Sequence, residues 1–184
     1  MLRAFCRRLI GRFEREFGYD AAYMRDLVDA SPWTFLRFSM VTGLVRRQDA
    51  PGDLIAAAGI VATLAEDCGP CTQIGVDIAS RGGVAPEVLR AVLAGDRTGM
   101  GEAAAIGYDF ARAVLAKDME AADPVRDEIL RRWGKKGLVA VSLAITTGRM
   151  YPTLKYGLGH GQACSKVVVG GEAQGVTRPM ALAA

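Results

Sequence analysis

Residues 54–65 form the longest apolar run in this sequence and constrain its fold more than any other segment. The run falls short of the ~18 apolar residues that a helix needs to cross a bilayer, so it is not expected to span a membrane. Its alanine-rich part, residues 56–62, is poor in the β-branched and aromatic side chains that are typical of buried strands. The run therefore predicts a helix in the core of a helical domain.

The rest of the sequence also carries helical signals. Apolar residues recur every three or four positions through residues 2–17, and a glycine follows as a stop. Ser31-Pro32 and Asp123-Pro124 each combine a capping side chain with a proline suited to a first helical turn. These patterns predict one compact all-α domain of about seven to eight helices over residues 1–160. Glycine, alanine and small polar residues dominate residues 161–184, which we expect to be a loosely ordered tail.

Three further expectations concern individual helices. Asp20 is expected to cap a short second helix. The helix that opens at Ser31-Pro32 is expected to reach about Arg47 and to be largely buried, because it has few polar positions. The final helix begins near Leu138 and is expected to kink or stop around Pro152.

Composition and charge exclude several functional classes. The chain has 184 residues, 51% of them hydrophobic, which fits a single domain with a substantial core. A net charge of +3 with 23% charged residues is far from the concentrated basic stripe of a nucleic-acid-binding protein, so no nucleic-acid partner is expected. The N-terminus shows no signal-peptide pattern, and a cytoplasmic, thiol-reducing compartment is the expectation.

The sequence Cys68-Gly69-Pro70-Cys71 lies between two predicted helices and carries the clearest chemical signal. Two cysteines three positions apart can close a disulfide, and a helix N-terminus favours the thiolate. Pro70 fits a turn that enters a helix. A close second thiol captures an oxidised sulfur as a disulfide before further oxidation. Glu66, just before the pair, is a candidate proton acceptor.

Other interpretations of the cysteines remain open from the residues alone. The motif is similar to that of thioredoxins, but thioredoxins place it after a core strand, whereas helices surround it here. His160 and Cys164 could join Cys68 and Cys71 in a structural zinc site of three cysteines and one histidine. The cysteines could also be small buried apolar residues. His160, the only histidine, could alternatively act as a base near the pair.

The chain resembles the alkylhydroperoxidase D and carboxymuconolactone decarboxylase superfamily over residues 31–159. The similarity lies in the alanine-rich helix that leads into the two cysteines, in the helix after them, and in late helical elements such as Asp123-Pro124 and Leu138-Val139-Ala140. The resemblance implies an all-α domain that assembles into trimers or larger oligomers. It also implies a thiol pair that reduces peroxides or exchanges disulfides.

Two positions depart from the family pattern. The family often has a histidine four residues after the second cysteine, where this chain has Gly75, and the family glutamate on the preceding helix falls on Ala56. Lactone decarboxylation is disfavoured, because that branch typically lacks the paired cysteines. We predict a thiol-disulfide oxidoreductase or weak alkylhydroperoxidase with Cys68, Cys71 and Glu66 as catalytic residues, without a cofactor. Its expected partners are further copies of the chain, a peroxide or protein disulfide, and a thiol reductant. A helical oligomeric protein that has lost catalytic activity is the alternative, beside the zinc site.

Overall fold

The computed structural model of this chain describes residues 1–45, 47–161 and 167–177. The predicted all-α fold is confirmed: these ranges contain eight α-helices, two 3-10 turns and one small β-hairpin. The helices are α1 (Leu2–Phe17), α2 (Ala22–Ala30), α3 (Pro32–Ser39), α4 (Gly52–Ala65), α5 (Gly69–Arg81), α6 (Pro86–Ala94), α7 (Glu102–Ala116) and α8 (Met119–Gly157). The 3-10 turns are Met40–Leu44 and Arg47–Asp49, and the antiparallel strands are β1 (Val167–Val169) and β2 (Glu172–Gln174). None of the helices in these ranges is both long and apolar enough to cross a membrane.

Helix α4 lies in the main core, as its sequence predicts. Leu54 and Val61 are fully buried, and α7 and α8 pack along the helix. Two glycines permit close helix contacts. A methyl group added at Gly107 of α7 would overlap the backbone of Leu54, and one added at Gly148 of α8 would lie 2.9 Å from the carbonyl oxygen of Gly59. Because two helices hold α4 closely, the position of its C-terminal end is fixed.

The first three helices form a second apolar cluster. Cys6, Ile10 and Val28 are buried in it, and Leu154 of α8 packs against it. The predicted cap at Ser31 is confirmed, since its hydroxyl oxygen accepts the Thr34 N–H at 3.3 Å. This cluster covers the part of α8 that approaches the cysteine pair.

Three predictions for this region are wrong. Helix α2 begins without a side-chain cap, because Asp20 instead forms an ion pair with Arg25 at 2.5 Å. Helix α3 ends at Ser39 instead of reaching Arg47, and the chain tightens there into a 3-10 turn. The helix is also not largely buried as predicted: Phe35 is its one buried residue, and Trp33 is 61% exposed, because within the described part of the chain no element covers that face of the helix.

Helix α8 differs from the prediction at its start and near its end. It begins before Asp123-Pro124, because the Asp118 carboxylate accepts the N–H of Ala121 at 3.0 Å and caps the helix there. At Gly134, four residues before the predicted start of the final helix at Leu138, the helix has a sharp break where the backbone is non-helical (φ 65°, ψ −170°). Beyond the break the helix passes through Pro152 without stopping, and side chains on both sides of the proline contact the turn that carries the cysteines.

The C-terminal hairpin occupies part of the segment that we expected to be loosely ordered. Val167 and Val169 are buried against the main core. The backbone of Val168 forms two hydrogen bonds with the side-chain amide of Gln73 on α5, at 2.7 and 3.0 Å. The short valine run is therefore a strand that packs on the helix carrying Cys71. Residues 162–166 and 178–184 of the predicted tail lie outside the described ranges.

Candidate functional site

The cysteine pair lies where α4 ends and α5 begins. Asp67 has a left-handed backbone (φ 50°), a conformation that is uncommon for a residue other than glycine. The N–H of Cys68 donates to the carbonyl of Thr63 at 3.3 Å, and the Thr72 hydroxyl donates to the carbonyl of Cys68 at 2.9 Å. Hydrogen bonds to both helices therefore hold this turn in place.

The structure brings Cys68 and Cys71 together as a disulfide, with their Cα atoms 5.3 Å apart. Cys68 is the N-terminal cap residue of α5, and Cys71 lies in the first turn. The positive end of the helix is thus close to both sulfurs and favours a thiolate there. Cys68 is fully buried, whereas Cys71 retains 9% exposure. The pair predicted from the sequence is therefore in place, and Cys71 is the more accessible partner.

Glu66 contacts the last third of α8. Its Oε1 lies 2.5 Å from Nε of Arg149, and its Oε2 accepts the Thr153 hydroxyl at 3.4 Å. The Tyr156 hydroxyl donates to the carbonyl of Asp67 at 3.0 Å. These contacts join α8 to the cysteine-bearing turn, and Glu66 is the charged residue that forms two of them.

A buried lysine that the sequence analysis missed lies beside the disulfide. Nζ of Lys155 is 3.6 Å from Sγ of Cys68, and only 2% of this lysine is exposed. The same Nζ lies 5.1 Å from the ring centroid of Tyr19 and 5.9 Å from that of Tyr23, within cation–π range. Burial lowers the pKa of the Lys155 ammonium, while the negative charge of Asp20 acts in the opposite direction.

No sequence pattern could have identified this lysine. It is one of several cations along α8, and lysines on a helix usually extend into solvent. Its burial follows from the packing of α8 against the segment between α1 and α2, and that packing joins residues far apart in the sequence.

An apolar cavity of about 440 Å³ opens beside Cys71. Its wall is largely aliphatic and includes Ile74 and Ile78 of α5. Ala56 and Gly75 both line this cavity. In this chain the space around the accessible sulfur is therefore apolar at both of those positions.

A second cavity, of about 430 Å³, lies on the lysine side of the pair and is lined by Pro70, Lys155 and His160. Nε2 of His160 is 2.7 Å from a carboxylate oxygen of Asp26. Of the predicted zinc ligands, Cys164 lies outside the described residues. Within those residues, no group of three or more histidine, cysteine or acidic side chains is arranged to hold a metal ion.

Comparison of this chain with protein-family models, with curated proteins and with solved structures finds no match. The chemistry of the site must therefore be derived from its geometry. Three features define that geometry: a cysteine pair at a helix N-terminus, an apolar cavity at Cys71, and a buried cation at Cys68.

Proposed function

We propose that this chain is a thiol-disulfide oxidoreductase in which Cys68 and Cys71 alternate between a dithiol and a disulfide. The observation that carries the proposal is the pair itself, held at a helix N-terminus with its sulfurs at bonding distance and one of them open to a cavity. The resemblance to the alkylhydroperoxidase D superfamily supports the same chemistry.

Cys71 is the sulfur that meets the oxidant, because it is exposed to the apolar cavity whereas Cys68 is fully buried. The Cys71 thiol loses its proton to solvent, its sulfur attacks the terminal oxygen of an organic hydroperoxide, the O–O bond breaks, and the alkoxide takes up a proton and leaves as an alcohol. Cys71 is then a sulfenic acid. The Cys68 thiolate attacks that sulfur, hydroxide leaves and becomes water with a proton from solvent, and the disulfide forms. An external dithiol restores the reduced pair.

The cavity supports a hydroperoxide with an apolar chain as oxidant, since such a chain gains free energy by leaving water for an aliphatic wall. The reaction is expected to be slow. A positioned acid or base contributes on the order of 10² or more to such steps, and Ala56 and Gly75 offer neither beside Cys71. A protein disulfide is the alternative oxidant, and it would react at the same sulfur.

Mass spectrometry with thiol alkylation tests this proposal. The reduced protein is treated with one equivalent of cumene hydroperoxide, alkylated, and mapped by peptide. We expect one Cys68–Cys71 disulfide that a dithiol reverses, and a stable Cys71 sulfenic acid in the Cys68→Ser variant. The Cys6→Ser variant is the matched control, because Cys6 is a buried free cysteine in the other apolar cluster. The proposal would be refuted if neither cumene hydroperoxide nor an oxidised dithiol formed the disulfide. It would also be refuted if one stoichiometric zinc ion protected the cysteines.

A further inference from the structure

We propose that Lys155 is the counter-ion of the Cys68 thiolate that forms when the disulfide is reduced. This inference rests on the proposed function, because it assigns a role within the same dithiol–disulfide couple. Its basis is the 3.6 Å contact between Nζ of Lys155 and Sγ of Cys68, both of them buried. A cation at this distance from a sulfur favours the charged form of the thiol over the neutral form.

Among the described residues no carboxylate forms an ion pair with Lys155, and Sγ of Cys68 lies 3.6 Å from its Nζ. From the segment before α2 and from α2 itself, the aromatic rings of Tyr19 and Tyr23 face the ammonium. Asp20 acts on it electrostatically, but 74% of the Asp20 side chain is exposed, so water screens this carboxylate. His160 lines the second cavity together with Lys155. A buried ammonium next to a neutral disulfide is poorly compensated, and the appearance of a thiolate at Cys68 relieves that cost.

This arrangement acts on the reductive half of the cycle. The thiolate of an external dithiol attacks Sγ of Cys71, the S–S bond breaks, and its electron pair passes to Sγ of Cys68. The second thiol of the reductant then displaces Cys71, so that two electrons pass from the reductant to the protein pair and the reductant becomes a disulfide. Cys71 keeps one proton as a thiol, and the other proton goes to solvent while Cys68 stays a thiolate beside Lys155. A stabilised thiolate is the better leaving group, and stabilising the reduced form makes the disulfide more oxidising.

A thiolate titration tests the contact directly. The ultraviolet thiolate absorbance of Cys71→Ser is measured against pH, below the range in which tyrosines ionise, and the signal of Cys68→Ser/Cys71→Ser is subtracted to isolate Cys68. Adding Lys155→Met is expected to move the Cys68 midpoint upward by about one pH unit or more. Lys136→Met, which removes an exposed lysine of the same helix, is the matched control and should leave the midpoint in place. Equal midpoints with and without Lys155→Met would overturn the proposal.

A redox equilibrium supplies a second measurement with the cysteines intact. Against a glutathione buffer, Lys155→Met is expected to lower the equilibrium constant for reduction of the pair about tenfold, which corresponds to about 30 mV for a two-electron couple. Lys155→Gln is measured in parallel, so that a folding defect in one variant does not decide the result, and far-ultraviolet circular dichroism reports the fold of both. An unchanged equilibrium constant in folded variants would also overturn the proposal.

The two proposals fail in different ways. The thiolate titration needs neither a hydroperoxide nor turnover. If the Cys68 midpoint depends on Lys155 while no oxidant forms the disulfide, the counter-ion role stands and the proposed function fails. If the disulfide forms and reverses but the midpoint is independent of Lys155, only the counter-ion role fails.

Discussion

The apolar cavity beside Cys71 predicts that turnover depends on the length of the oxidant's alkyl chain. Each methylene group that leaves water for an apolar wall contributes about 0.8 kcal/mol. At 1.36 kcal/mol for each factor of ten, kcat/KM should rise about fourfold per added methylene until the chain fills the available space. The assay follows the reduction of linear alkyl hydroperoxides, from butyl to octyl, by a dithiol, with the uncatalysed rate subtracted.

Filling the cavity should abolish this dependence. Gly75 lines the cavity, and a Cβ added there would meet only Ile60, at 3.8 Å, so the backbone accepts a larger side chain. The side chain introduced by Gly75→Leu takes the space of about four methylene groups, which corresponds to about 3.2 kcal/mol or a loss of about 200-fold in kcat/KM for the octyl substrate. The butyl substrate should lose far less. Gly157→Leu, at the exposed end of α8, has open space around it and serves as the control.

Two results would refute this reasoning. One is a kcat/KM that does not change from butyl to octyl hydroperoxide in the wild-type protein. The other is a Gly75→Leu variant that is folded and retains the wild-type preference for the octyl substrate. Thermal unfolding of both variants establishes that they are folded before the rates are compared.

Three further predictions concern stability and proton transfer. Gly107→Ala should lower the free energy of unfolding by about 1–3 kcal/mol in denaturant titrations, because the added methyl group overlaps the backbone of α4. Gly59→Ala is the control and should be neutral or stabilising, because the nearest atom to its added methyl group is 3.9 Å away. Equal effects of the two substitutions would contradict the close contact at Gly107. Burial raises the pKa of Tyr19 and of Tyr23, so the stability that the neutral phenols contribute is present below about pH 10 and is lost as pH rises above it. The loss between pH 10 and 11 should be smaller in Tyr23→Phe than in the wild type, and an equal loss would show that Tyr23 does not titrate as its burial requires. Gly75→His places an imidazole one helical turn from Cys71 and should raise the rate with butyl hydroperoxide about tenfold or more over the wild type at pH 7. A rate no higher than that of Gly75→Leu would contradict the need for a proton donor at this position.

The sequence predicted those parts of the fold that depend on local signals. Residues 54–65 are apolar on all faces, and they form the buried helix α4 because only the core of the domain can cover such a surface. Ser31 caps α3 as predicted, because its hydroxyl oxygen acts within one helical turn. The cysteine pair was equally local, since its two members are one turn apart.

The features that the sequence could not provide depend on contacts between distant segments. Whether Trp33 is buried depends on which element covers α3, and periodicity alone does not contain that information. The strand at Val167–Val169 is stabilised by Gln73, a helical residue whose side chain bonds the backbone of the strand. Proximity in sequence predicts Glu66 as a partner of the cysteines, and its catalytic role stays a prediction. The contact of Lys155 with Sγ of Cys68 joins residues 87 positions apart, so no local pattern predicts it.

The end of α8 has a consequence for the order in which the molecule is built. The contacts that join it to the cysteine-bearing turn span 83 to 89 positions in the chain. Loop closures of this length form after local helices, and a ribosome makes the cysteines long before it makes Arg149 and Lys155. A nascent chain that ends before residue 149 therefore has both thiols but no cation beside them. We expect the pair to acquire its native reactivity only when the last helix docks. An oxidant that acts during synthesis therefore reacts with a dithiol that lacks the Lys155 contact of the finished protein.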